Sequence, residues 1–390
     1  MKIVHIIPSA PYNDYWGYQD NLLPKYHKKL GHEVSIITTN IMHKDGKIVE
    51  TECTEYFLND GVRVIRLKKK KYFSRIIANL NSKLPVYKLL KKLDPDFIFF
   101  HGLISSTIFE TIKFAREKEK RGGKCTIVQD THLDESNGIK SKHLTSFLIR
   151  AYYRFLNKKS SRYVKKIYGV TPGRKKYAEK YFKIPSRLTD LLVMGGDDDK
   201  IDFVHQKEIR RNLRKQYNIS EEDFLLISGG KIDEKKNIHL LMKAIAQLNV
   251  PNIKLMVFGT PNKEMEAIIT KLARDEHIYY IGWIEADKVY DYFLASDLAI
   301  FPGTHSVLWE QACSCGIPCV FKSWEGMHHV DMGGNCEFLY EDSVEEIERT
   351  VLEIERDSQK YKKMLKVAKE KCIKNFSYSE ISKRAIGIEE

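Results

Sequence analysis

Long apolar runs are missing from this 390-residue chain. The longest, such as Phe97 to Phe100, fall far short of the roughly 18 residues that a membrane-spanning helix requires. The N-terminal stretch from Lys2 to Ile7 lacks the longer apolar core and small-residue cleavage site of a signal peptide. Cysteine is sparse and odd in number: Cys53, Cys125, Cys313, Cys315, Cys319, Cys336 and Cys372. Scattered in this way they argue against a secreted disulfide scaffold and predict reduced thiols. Cys313, Cys315 and Cys319 lack the second distant pair of a zinc site and read as small apolar residues where a helix packs on a strand. Solenoid repeats and low-complexity tracts are absent too, which argues against repeat arrays and disordered polymers. The expectation is a soluble cytoplasmic protein.

Of the residues present, 43% are hydrophobic and 30% charged, and the length suits two domains of roughly 150–200 residues. The net charge of +13 is unevenly spread. Residues 1–200 hold 39 Lys and Arg against 21 Asp and Glu, a balance of +18, whereas residues 201–390 hold 26 against 31, a balance of −5. So basic a half-chain draws anionic partners: nucleic acid, a phospholipid surface or a phosphorylated substrate. A merely soluble basic surface is the alternative.

Strands and helices alternate in two series. Residues 2–7 are an apolar run, and Leu22 to Leu30 reads as a helix closed by Gly31. Strands follow at Val34 to Thr38, Asp96 to Phe100, Thr126 to Val128 and Ile167 to Val170. The series restarts after Gly195-Gly196-Asp197-Asp198-Asp199, with strands at Phe224 to Ser228, Lys254 to Phe258, His277 to Ile281, Leu298 to Phe301 and Pro318 to Phe321. Helices are expected at Ile238 to Leu248 and Ser306 to Cys315. Ser343 and Glu346 have capping-box spacing, with Val344, Ile347, Val351 and Ile354 on one apolar face. Apolar strands alternating with helices predict two doubly wound α/β domains with parallel sheets, and ligands in the cleft between them.

Two loops carry the chemistry. Gly229-Gly230-Lys231-Ile232-Asp233-Glu234-Lys235-Lys236-Asn237 follows a strand and opens a helix, so free amides and several lysines meet there. That combination binds phosphate, although a solvated basic loop is the plainer alternative. No Walker motif is present. The second loop, Phe301-Pro302-Gly303-Thr304-His305-Ser306-Val307-Leu308-Trp309-Glu310, offers further amides at Ser306, Val307 and Leu308. Glu310, one turn into the helix, is placed to accept from two vicinal hydroxyls, as ribose-binding carboxylates do. Otherwise it is a solvent-facing glutamate.

The set of motifs resembles the retaining glycosyltransferases of family 4. Trp16-Gly17-Tyr18-Gln19 with Leu30-Gly31-His32-Glu33-Val34 is similar to that family's glycine loop and Gly-His-Glu-Val segment. Gly230-Lys231-Ile232 with Lys236-Asn237 resembles its phosphate motif. Ile281-Gly282-Trp283, Ala295-Ser296-Asp297, Cys315-Gly316-Ile317-Pro318 and Phe376-Ser377-Tyr378 match further landmarks in order. The resemblance implies a GT-B fold: two facing Rossmann-like domains, 1–198 on the acceptor side and 199–374 on the nucleotide-sugar side, with 375–390 as a helix crossing back.

By the same resemblance, Lys231 and Lys236 hold a donor diphosphate, Glu310 the ribose, and the amides of Ser306, Val307 and Leu308 the phosphates. Gly17 brings its loop against them, Trp283 and Ile284 meet the base, and His132 or Asp130 lies beside the transferred sugar. The family motif has a second glutamate eight positions earlier; Pro302 stands there, and His305 lies within the loop instead. Lys231 replaces the usual arginine, keeping charge but losing the bidentate fork. No Asp-x-Asp stands beside the donor loop, so no metal or other cofactor is expected. The donor would be a UDP- or GDP-linked sugar and the acceptor a glycan or polyprenyl-linked glycan of lipopolysaccharide or capsule assembly. A GT-B nucleotide-sugar isomerase and a catalytically degenerate binding relative are the alternatives. Nucleic acid is not expected, since zinc-finger and RNA-recognition signatures are absent. The basic run Lys68 to Lys71, with Tyr72, Phe73 and Arg75 through Lys92, suits an anionic membrane face carrying Ile76, Ile77, Leu80 and Leu84, or else a solvated lysine loop, since Pro85 interrupts the helix.

Overall fold

The computed structural model describes residues 1–69, 83–135 and 144–388. The chain forms two compact units, Met1–Val193 with Ser382–Glu390, and Met194–Ile381. The division falls five residues before the expected boundary at 198, and the return seven residues after 375. Backbone pairing gives the reason: Gly196 N–H donates to the Phe376 carbonyl at 2.9 Å, and Tyr378 N–H to the Gly196 carbonyl at 3.3 Å. That pairing holds 194–198 and 375–381 together within the second unit.

In the first unit the strands are β1 (Lys2–Ile7), β2 (Glu33–Thr39), β3 (Ile41–Lys44), β4 (Lys47–Glu50), β5 (Glu55–Phe57), β6 (Arg63–Leu67), β7 (Phe97–Phe100), β8 (Thr126–Thr131), β9 (Lys166–Gly169) and β10 (Thr189–Leu191). Eight of them form one sheet in the order β10-β9-β8-β7-β1-β2-β6-β5, parallel except for β5 against β6. Five of the six residues of β1 and all four of β7 are buried, which is why these strands are continuous apolar runs. β3 and β4 make a separate hairpin whose Asp45-Gly46 turn has both φ angles positive, 51° and 72°, the type I′ geometry that Asp-Gly favours.

In the second unit, β11 (Phe224–Gly229), β12 (Ile253–Phe258), β13 (Ile278–Gly282), β14 (Leu298–Phe301), β15 (Cys319–Lys322) and β16 (Cys336–Leu339) form a wholly parallel sheet in the order β13-β12-β11-β14-β15-β16. The helix Ile238–Leu248 spans its expected range and buries Ile238, Leu241, Met242 and Ile245. Helix Val344–Arg356 buries Val344, Ile347, Val351 and Ile354, and Ser343 Oγ caps the Glu346 N–H. Glu346 does not close the capping box; its carboxylate accepts from the amides of Tyr340 and Glu341 at 2.8 and 2.7 Å. Buried Arg214, on the helix Gln206–Gln216, bonds the carbonyls of Ser220, Asp223 and Ala295 and the Asp297 carboxylate.

All seven cysteines are free: Cys53 is exposed, Cys125 half-buried, and Cys313, Cys315, Cys319, Cys336 and Cys372 buried. Most of the expected basic membrane segment, residues 70–82, lies outside the described residues. Leu84, expected on its apolar face, belongs instead to the core: it is fully buried and its N–H donates to Thr107 Oγ1 at 2.9 Å.

Candidate functional site

In a doubly wound sheet, ligands bind beyond the carboxyl ends of the strands where the strand order reverses. In the second unit that point lies between β11 and β14, and the two loops singled out in the sequence leave the sheet there. Glycines let them touch. A Cβ on Gly303 would lie 2.3 Å from the Lys235 carbonyl oxygen, and one on Gly230 would lie 2.8 Å from Leu308 Cδ1. Thr304 N–H donates to the Lys235 carbonyl at 2.9 Å. Lys236 Nζ donates to the carbonyls of Thr304 at 2.6 Å and His305 at 3.1 Å. Burial lowers the pKa of its ammonium. A small hollow remains, lined by Ser228, Gly229, Lys236, Gly303, Thr304 and Ser306. Ser228 Oγ is buried, with no hydrogen-bond partner among the described residues. Lys231, three-quarters exposed, pairs with Asp233 at 3.1 Å.

Two expectations change here. The helix expected from Ser306 to Cys315 runs Leu308–Ser314, because Ser306 and Val307 form the turn that leads into it and the Trp309 N–H is spent on the Ser306 carbonyl. Glu310 is not solvent-facing. Its side chain is fully buried, and its carboxylate lies 2.9 Å from His305 Nε2 and 2.8 Å from His329 Nε2. Burial works against the charge, but the two histidines outweigh it and hold the carboxyl at about 2. Trp309, beside it, is buried against Phe321 with ring centroids 4.6 Å apart. Trp283, 71% exposed, and Ile284 border a different surface hollow, shared with Ile209, Asn212 and Tyr292.

The order in the first sheet reverses between β1 and β7. Asp130, near the end of β8, is fully buried there and accepts from the Gly102 N–H at 2.8 Å, Gln19 Nε2 at 3.3 Å and His101 Nδ1 at 2.9 Å. Burial would raise its pKa, yet His101 and His132 hold it well below the usual carboxylate range. His132 Nε2 stands 3.8 Å from Asp130 Oδ2. The sequence thus places His132 and Asp130 in one cluster, with Gly17 two residues before Gln19, while His5, His27, His101 and Asp20 escaped notice. His101 left a signal: it is a polar residue directly ending the buried run Phe97 to Phe100.

Two clusters of described residues bring three metal-ligating atoms within 4.8 Å of one another: Asp20, His101 and Asp130, and His305, Glu310 and His329. Their nitrogen-to-oxygen distances of 2.8 to 3.2 Å are those of hydrogen bonds. A metal-bound imidazole normally gives its second N–H to an acceptor. His329 Nδ1 is buried with no partner among the described residues, so this cluster is better satisfied as a carboxylate between two donors.

Residues 209–371 match the family glycosyl transferases group 1, so the second unit carries a domain of that family over less than half of the chain. The whole fold is the two-domain α/β arrangement of GT-B type. HepE of Anabaena, solved with UDP-glucose, superposes over 99% of this chain and 98% of its own at a TM-score of 0.64 and 16% identity. The N-acetylgalactosamine-N,N'-diacetylbacillosaminyl-diphospho-undecaprenol 4-alpha-N-acetylgalactosaminyltransferase of Campylobacter jejuni is 30% identical over 109 residues, 26% of this chain and 29% of that protein. The lipopolysaccharide 1,2-N-acetylglucosaminetransferase of Salmonella typhimurium is 29% identical over 109 residues, 25% of this chain and 29% of that protein. The chain thus spans less than a third of the length of these two curated relatives.

Proposed function

We propose that this protein is a retaining, metal-independent glycosyltransferase that moves a sugar from a UDP- or GDP-linked donor to a glycan or polyprenyl-linked acceptor in cell-surface polysaccharide assembly. The observation that carries this reading is the joining of the two loops at the reversal point of the second sheet. There the Lys236 ammonium and the unpartnered Ser228 hydroxyl meet around a hollow. An ammonium has three N–H groups and two are spent on carbonyls, so one remains for a phosphate oxygen. As the diphosphate departs, negative charge grows on it, and groups that bind more strongly as charge grows lower the barrier. Lys231 adds an exposed positive charge from the same loop. The leaving phosphate takes the acceptor's proton, and the family resemblance alone assigns His132 or Asp130 a role toward the transferred sugar.

Thermal unfolding against UDP, GDP, ADP, CMP and their sugars tests the donor. A ligand at a hundred times its Kd adds about 2.7 kcal/mol, a shift of several degrees for units of this size. One base family shifting the melt names the donor. No shift with any base, together with no nucleotide release when polyprenyl-linked glycans are added, overturns the reading. Release of an altered sugar nucleotide without acceptor would instead mark an isomerase.

The reading includes an anionic membrane surface. Residues 144–166 contain seven Lys and Arg and no Asp or Glu. On the helix Leu144–Ser160, Phe147, Leu148 and Phe155 are more than half exposed, and Lys159 Nζ lies 4.4 Å from the Phe155 ring centroid. Apolar side chains bordered by lysines suit an interface between headgroups and acyl chains. Binding to anionic vesicles at low salt that weakens in Phe155→Ser supports this; equal binding to neutral vesicles refutes it.

A further inference from the structure

A row of buried histidines crosses the first unit. His27 Nε2 lies 2.9 Å from the Ser382 carbonyl oxygen, His27 Nδ1 lies 2.9 Å from His5 Nε2, and His5 Nδ1 lies 3.1 Å from His101 Nε2. His101 Nδ1 then meets Asp130 Oδ2 at 2.9 Å and Asp20 Oδ1 at 3.2 Å. All three rings are buried, and neighbours stack with centroids 5.1 and 5.3 Å apart.

Counting hydrogens assigns the charge. Carbonyl and carboxylate oxygens only accept, so His27 Nε2 and His101 Nδ1 each carry a hydrogen. Each of the two nitrogen-to-nitrogen contacts needs one more. The row holds four hydrogens, whereas three neutral imidazoles supply three. One ring is therefore an imidazolium. His101 is the ring beside two carboxylates, and a buried charge belongs where its counter-charge lies. His5 and His27 are then neutral, with hydrogen on Nε2, and every bond donates in one direction, from His101 to Ser382.

The surroundings agree. Burial, with the neighbouring histidines, lowers His5 well below the usual imidazole range, and burial lowers His27 to about 3. At His101 burial opposes the charge, but Asp130 and Asp20 outweigh it and lift the ring to about 10. The groups facing His101 are Asp20 and His27 from the helix Gln19–Lys29, His5 from β1 and Asp130 from β8, with His132 beyond Asp130. His27 also faces His32.

We propose that His5, His27 and His101 are positioning residues for Asp130: the row stores one proton on His101, whose charge keeps Asp130 ionised and directed at His132. The proton count stands on the hydrogen bonds alone; its bearing on turnover rests on the transferase reading above.

The test uses the full chain with 15N-labelled histidine and long-range 1H–15N spectra from about pH 5 to about pH 9, spanning the ordinary imidazole range. The expected result is His101 protonated on both nitrogens throughout, with His5 and His27 neutral, protonated on Nε2 and not titrating. His101 titrating near its ordinary value of about 6.5, or His5 carrying hydrogen on Nδ1, overturns the proposal. Two variants probe the row. His27→Gln can still accept from His5 and donate to Ser382, so it should keep His101 charged. His5→Leu strands the His101 Nε2–H and should weaken proton binding there about tenfold or more, so that with the spectra of both proteins carried to about pH 11 its titration lies at least about one pH unit below that of the wild type. An unmoved His101 titration in folded His5→Leu overturns the proposal, and if that variant does not fold, the wild-type spectra and His27→Gln decide. Should the wild type transfer no sugar, the transferase reading fails while the spectra still judge the row. In an active wild type, an unchanged pH profile of turnover in His5→Leu removes the positioning role.

Discussion

Replacing Lys236 with methionine keeps most of the aliphatic stem and deletes the ammonium that bonds Thr304 and His305. A hydrogen bond with a charged partner contributes about 1.5–3 kcal/mol net. Lys236 is partly exposed, so each bond is set at or somewhat below the lower end, and the two together come to about 2–3 kcal/mol. For a unit of this size that is a fall in Tm of roughly 4–12 °C. If the same ammonium also stabilises the leaving diphosphate, kcat falls about 10²- to 10³-fold, the effect of removing one preorganised donor. Urea unfolding measures the first quantity, and transfer kinetics at saturating donor, well below the melting range, measure the second. Lys235→Met is the control, because that side chain is exposed on the adjacent position and its loss should cost no more than about 0.5 kcal/mol. Unchanged stability in Lys236→Met would refute the clamp between the loops. Lost stability with normal kcat would make Lys236 a clamp alone and remove it from the chemistry.

Arg214→Leu should lose about 2–4 kcal/mol in urea unfolding, because it removes a buried charged donor from three carbonyls and from Asp297, although Arg210 still bonds Asp297 and the Ala295 carbonyl at 2.9 Å; a loss below about 1 kcal/mol would contradict that account. Gly259→Ala should melt far lower than Gly282→Ala. Both have positive φ, 114° and 72°, but a Cβ on Gly259 would sit 1.8 Å from the Gly230 carbonyl oxygen whereas Gly282 has open space. The first should cost upwards of about 3 kcal/mol and the second about 1–2, and equal melting temperatures would be the wrong result. Glu310 has a folded pKa of about 2, below its unfolded value. Its contribution is therefore complete above the unfolded range near pH 4.3 and is lost as pH falls toward about 2. Stepwise urea unfolding should show this loss in the wild type and a shallower one in Glu310→Gln; identical pH slopes would count against the two-histidine arrangement.

Much of the fold was legible because strands covered by helices on both faces read as unbroken apolar runs. β1, β7, β11 and β14 were found this way. β5, β6 and β16 were not: each is three to five residues long and carries charged or polar positions, as Glu55 and Arg63 do at the sheet edge. The two loops that meet at Lys236 could be named from local composition, since glycines and lysines after a strand are the pattern expected of a phosphate cradle. Their fate depended on distant partners. Glu310 is enclosed by His329, nineteen residues further on, and no periodicity announces that contact. The histidine row joins positions 5, 27, 101 and 382. The strand order, with β1 beside β7, brings His5 to His101, and the packing of the helices Gln19–Lys29 and Tyr378–Ala385 adds His27 and Ser382.

The placement of the cysteines gives the protein its own clock. Alkylation requires a thiolate, and Cys53 alone is exposed. Burial pushes the Cys125 thiol up to about 12 and raises the pKa values of Cys313, Cys315, Cys319 and Cys336, while the hydrogen bond with Cys313, together with burial, raises that of Cys372. The native chain should consume one equivalent of reagent at once, and each later adduct dates an opening event. Of the six slow thiols, Cys125 belongs to the first unit and the other five to the second. Mass spectrometry after a short iodoacetamide pulse would therefore time the opening of each unit separately, without any engineered label.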